Sequence, residues 1–66
     1  MLEFHVEDMT CGHCASTITK AVKAVDANAV LNIDVRSHIV QIESATDAGK
    51  FDAAIRDAGY TPVQAK

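Results

Sequence analysis

The sequence predicts an α+β domain in which two helices cover one face of a four-stranded antiparallel sheet. Three observations point there. Apolar residues alternate with a period of two in some stretches and recur at helical spacing in others. The two kinds of stretch interleave along the chain. Asn28, Gly59 and Pro62 fall at the junctions between them.

Residues 2–7 alternate strictly, with Leu2, Phe4 and Val6 on one face and Glu3, His5 and Glu7 on the other, which predicts a half-buried strand. Cys14, Ile18, Ala21, Val22 and Val25 then share one face of a helix running to about Asp26, with Thr17, Thr19, Lys20 and Lys23 on its wet side. Asp26-Ala27-Asn28 is expected to end this helix, Asn28 being a residue that tolerates the left-handed conformation of a helix stop. From Val30 the period returns to two, with Leu31, Ile33 and Val35 facing inward. The polar turn Arg36-Ser37-His38 leads into Ile39–Glu43, whose inward pair is Val40 and Ile42, so the two runs form a hairpin. Thr46 is the expected N-cap of a second helix, with Asp47 in its first turn and an apolar stripe of Phe51, Ala54, Ile55 and Ala58. Gly59 closes that helix as its C′ residue, and Tyr60–Val63 suffices for one last short strand, where Pro62 is tolerated only at an edge or an end.

The order βαββαβ is that of the ferredoxin-like split βαβ fold. Right-handed crossovers place both helices on the same face of the sheet. With 66 residues and no linker-like tract, the chain is expected to be a single domain, 1–66. A chain of this size buries only roughly 60% of its unfolded surface, leaving no room for a deep substrate cleft, so an enzyme is not expected.

Composition excludes several classes. Six basic against nine acidic residues give a net charge of −3, with no broad basic field for a nucleic acid backbone. No apolar run approaches the roughly 20 residues of a membrane span, and Glu3, His5, Glu7 and Asp8 interrupt what would be a signal peptide, so a cytoplasmic location is expected. The two cysteines stand too close together to staple a fold, and in a reducing compartment they remain thiols.

Those thiols, Cys11 and Cys14, lie in Met9-Thr10-Cys11-Gly12-His13-Cys14, at the corner between the first strand and the first helix. Unpaired N–H groups and the helix dipole favour thiolate over thiol there. Such a pair is a redox couple or a clamp for a soft metal ion. A thioredoxin-like redox fold needs more strands than this chain supplies. A structural zinc site needs four protein ligands, and the only further candidates, His5, His13 and His38, fall on separate elements or strain the loop. Two thiolates with few partners suit Cu(I), and equally Hg(II). Met9 is expected to plug the core beneath the loop rather than ligate through its thioether, and His13 to be a solvated side chain. His5 and His38 carry no spacing signal and are expected to be a surface strand residue and a turn residue.

Met9-Thr10-Cys11-x-x-Cys14 after a first strand, the element order across the whole chain and Gly59-Tyr60 before the last strand resemble the heavy-metal-associated domain family, in particular its bacterial CopZ-like copper chaperones. The resemblance implies Cu(I) held by Cys11 and Cys14 and delivered to the metal-binding domains of a copper-transporting P-type ATPase. Gly12 would permit the tight loop, and Tyr60 would lie near it, as core residue or lid. Lys20 and Lys23, extended by Lys50 and Arg56, would offer a weak docking charge for a partner's acidic residues. A monomer is expected, with metal-bridged dimers left open. The alternatives are a mercury-binding relative, a domain of a larger ATPase, and a small thiol-disulfide carrier.

Overall fold

The period-two and helical segments assemble into β1 (Leu2–Val6), α1 (Gly12–Val25), β2 (Val30–Asp34), β3 (Ile39–Glu43), α2 (Ala48–Asp57) and β4 (Pro62–Gln64). The computed structural model describes residues 2–9 and 12–65. The sheet order is β2-β3-β1-β4 and every pair is antiparallel, which confirms the ferredoxin-like α+β prediction.

Register explains how the alternation becomes a core. Leu2 and Leu31 both face Ile42, while Phe4 and Ile33 both face Val40, so two apolar rows run across three strands on the covered face. Glu3, Gln41 and Asn32 form a polar row on the other face, where the Gln41 amide donates to the Glu3 carboxylate at 3.2 Å. A one-residue slip would exchange the two sets, and this penalty fixes the register. The helices supply Ile18 and Val22 from α1, and Phe51 and Ile55 from α2, all fully buried with Phe4, Val6, Val40 and Ile42. Met9 joins this cluster with no exposed surface, which is the core role expected of it.

Several boundaries are set differently from their sequence signals. Asn28 does not adopt a left-handed backbone. After α1 the Asp26 carboxylate instead accepts the Asn28 N–H at 2.9 Å, and Ala29 N–H donates to the Asp26 carbonyl at 3.1 Å. An Asx turn thus reverses the chain with ordinary negative φ. Asp47, not Thr46, is the N-cap of α2, with extended backbone at φ −61°, ψ 141° and no side-chain capping bond. Ser44 captures the Thr46 N–H at 3.0 Å, drawing Thr46 into the preceding turn.

Gly59 behaves as expected. At φ 99° it closes α2 in a Schellman arrangement, its N–H reaching the Arg56 carbonyl and the Tyr60 N–H the Ile55 carbonyl. β4 begins at Pro62 rather than Tyr60. Pro62 is the first residue of an edge strand, fully buried, in the one kind of position where its missing N–H costs no ladder bond.

Candidate metal centre

The chain leaves β1 at Val6 and turns at once, with Met9 N–H donating to the Val6 carbonyl at 3.1 Å. Met9 then drops its side chain into the core while its neighbours Glu7 and Asp8 stay exposed. Thr10 and Cys11 lie outside the described residues. α1 opens at Gly12, and Cys14 falls in its first turn, half-buried and packed against the core cluster. Cys14 lies on the helix face it shares with buried Ile18. His13 is exposed, as expected of a solvated side chain. Among the described residues a Cβ at Gly12 would meet nothing within 4 Å, and its φ is not left-handed, so neither feature calls for a glycine there.

The segment ahead of the cysteines is held from two distant parts of the chain. The His38 ring Nδ1 lies 2.7 Å from the Met9 carbonyl oxygen, and Val6 N–H donates to the His38 carbonyl at 2.8 Å. On the opposite flank, Thr61 N–H donates to the Asp8 carboxylate at 3.2 Å. The sequence offered no spacing that would select His38 or Asp8, because their partners are 29 and 53 residues away. His38 was expected to be a plain turn residue; it is half-buried and has a positive φ of 60°. His5 pairs with Glu7 at 3.1 Å on the open sheet face, its ring 6.2 Å from that of His38. Among the described residues no three His, Cys, Asp or Glu side chains gather to hold a metal ion.

Two of the four expected docking charges are engaged within the domain. The Lys23 ammonium donates to the carbonyls of Ala29 at 2.6 Å and Ala27 at 3.5 Å, serving the chain reversal after α1. Arg56 donates to the Asp52 carboxylate at 2.7 Å and to the Pro62 carbonyl at 3.1 Å, tying α2 to β4. Lys20 and Lys50 remain exposed. All four cations are exposed, and the bonds of Lys23 and Arg56 fix where those two charges stand. Tyr60 is half-buried on the core cluster. No helix is long and apolar enough to cross a membrane among the described residues.

Fold and sequence together define a class: a small ferredoxin-like domain with a C-x-x-C where the first strand gives way to the first helix. The chain belongs to the heavy-metal-associated domain family, which it matches over residues 3–61. It is 39% identical, over 97% of its length, to copper-transporting ATPase 1 of Rhizobium meliloti (strain 1021). It spans only 8% of that ATPase and 7% of copper-transporting ATPase 2 from the same organism. Among solved structures, a gold binding protein superimposes with a TM-score of 0.93 at 39% identity, covering 97% of this chain and 98% of that one. The copper chaperone Atx1 from Synechocystis PCC6803 superimposes with a TM-score of 0.91 at 33% identity, covering 96% of this chain and all of that one.

Proposed function

We propose that this chain acts as a cytoplasmic copper chaperone that binds one Cu(I) through Cys11 and Cys14 and passes it to a metal-binding domain of a copper-transporting P-type ATPase. The observation that carries the proposal is the place of Cys14, in the first turn of α1 with its body on the core, next to exposed Gly12 and His13 in a C-x-x-C sequence. Soft thiolates select soft monovalent or divalent ions, and exposed neighbours leave the ion reachable. The copper and gold named for the two structural relatives fit this donor set, and Hg(II) would fit it for the same reason.

Transfer follows from low coordination. A Cu(I) ion on two sulfurs has room for a third, so a partner's thiolate bonds to the ion before Cys11 or Cys14 leaves it. The ion keeps its oxidation state and never enters water. No covalent turnover of a substrate is involved, and the role is binding and exchange rather than catalysis. Lys20, on the exposed side of α1, would meet acidic side chains of the partner and speed encounter at low salt.

The 39% identity to an ATPase of far greater length favours a second reading of the same site, in which this is an ATPase's own metal-binding domain and receives the ion. Both readings predict direct exchange. The test is stopped-flow mixing of the Cu(I)-loaded protein with a soft-metal ATPase domain in the presence of a strong Cu(I) chelator. Transfer faster than capture supports exchange. Capture by the chelator at one rate, with or without the acceptor, overturns it.

A further inference from the structure

We propose that His38 is the positioning residue of the metal loop, its imidazole holding the Met9 carbonyl so that the chain enters Cys11 in a fixed orientation. The inference rests on the reading of Cys11 and Cys14 as ligands. Four observations carry it. A carbonyl oxygen only accepts, so in the 2.7 Å contact the donor is His38 Nδ1–H. The Met9 carbonyl lies two residues ahead of the first proposed ligand in sequence, so a bond to it restrains the backbone at the entrance to the loop. The His38 carbonyl also accepts from Val6 N–H at 2.8 Å, so one residue grips the turn both where it leaves β1 and where it meets the loop. Finally, His38 stands at φ 60°, in a left-handed region that glycine occupies without penalty, and non-glycine residues kept there call for a functional reason. The ring is what this position gains over glycine.

The tether matters because Met9 is otherwise anchored through its apolar side chain and its N–H bond to Val6, neither of which fixes the rotation of the peptide plane that carries its carbonyl. Two ligands three residues apart are held at a productive separation only if the backbone ahead of the first has settled, since the second is already set by α1. His38 is not a ligand in this account and touches no reacting atom. Its bond lowers the number of loop conformations that must be lost when the ion binds.

Two substitutions separate this from a structural role. His38→Gly removes the donor and accepts the backbone conformation. His38→Asn also tolerates the left-handed region and carries an N–H donor at the corresponding δ position. Under conditions where every variant is folded, competition against a Cu(I) chelator is expected to show a loss of about tenfold for H38G, within what one net hydrogen bond supplies, and a change within about twofold for H38N. Amide exchange over residues 11–13 of the metal-free protein is expected to quicken in H38G and stay near the parent rate in H38N. A role confined to fold stability would move the unfolding midpoint and leave both of these readouts unchanged. Parent-like affinity and exchange in H38G, or equal losses in the two variants, would overturn the proposal. Should the parent itself fail to bind Cu(I), the ligand reading falls, and the exchange rates still decide whether the tether orders the loop.

Discussion

Replacing Met9 tests the link between core and metal loop at the residue where they meet. Met9 is completely buried among Phe4, Val6 and Ile18, two residues ahead of Cys11. Met9→Ala deletes the buried thioether and leaves a cavity that a small sheet-and-helix core closes only in part. Such truncations cost about 2–5 kcal/mol. At roughly 0.05–0.15 kcal/mol per residue the whole domain has only about 3–10 kcal/mol to lose, so a mid-range cost of about 3 kcal/mol is a large share of it. The melting temperature should fall by roughly 12–24 °C, at about 4–8 °C per kcal/mol for a domain of this size. Met9→Leu conserves volume and should cost under about 1.5 kcal/mol. Thermal unfolding of the reduced, metal-free proteins by circular dichroism gives both numbers, and Cu(I) competition at a temperature where all are folded gives the affinities. The core account predicts that M9L binds Cu(I) like the parent. If M9A unfolds within about 1 kcal/mol of the parent, or if M9L keeps its stability while losing Cu(I) affinity, Met9 is a thioether ligand or a loop residue and the packing argument fails.

Four further outcomes are expected. Cys11→Ser and Cys14→Ser should each weaken Cu(I) binding by orders of magnitude, whereas His13→Ala, at an exposed position, should leave a sulfur-only X-ray absorption spectrum unchanged. Saturating Cu(I), at ~1,000 times Kd, should stabilise the fold by about 4 kcal/mol and raise the melting temperature by roughly 15–30 °C, and a static midpoint would argue against a preformed site. Gly59→Ala forces a Cβ into φ 99° and should cost about 1–3 kcal/mol in denaturant unfolding, with no change in Cu(I) affinity. The Ser44 hydroxyl and the Asn28 N–H hold the Asp26 carboxyl below its ordinary pKa. A depressed folded pKa contributes stability that is present above the unfolded value of about 3.9 and lost as pH falls below it, so Ser44→Ala should flatten the acid limb of a stability-versus-pH curve, and an unchanged limb would discount this bond.

What the sequence by itself determined is local. Alternation in Leu2-Glu-Phe-His-Val6, the stripe from Cys14 to Val25 and the pair Val40 and Ile42 each reflect a backbone period that neighbouring residues impose, and all three appear in the structure. Gly59 was legible for the same reason, since a helix stop needs a left-handed residue next to it. The C-x-x-C was legible because chemistry and spacing lie within four residues.

Only the tertiary structure decided which polar groups meet across the fold. It spent Lys23 and Arg56 on carbonyls at chain reversals, turned Asp26 rather than Asn28 into the stop after α1, and brought His38 and Asp8 to the approach of the metal loop. The physical reason is range: a helix or strand period is written in residues a few positions apart, whereas the partners of His38 and Asp8 are 29 and 53 positions away. Hydrogen bonds of that span form only after hydrophobic packing has set the register of β1, β3 and β4, so no local pattern in the chain records them.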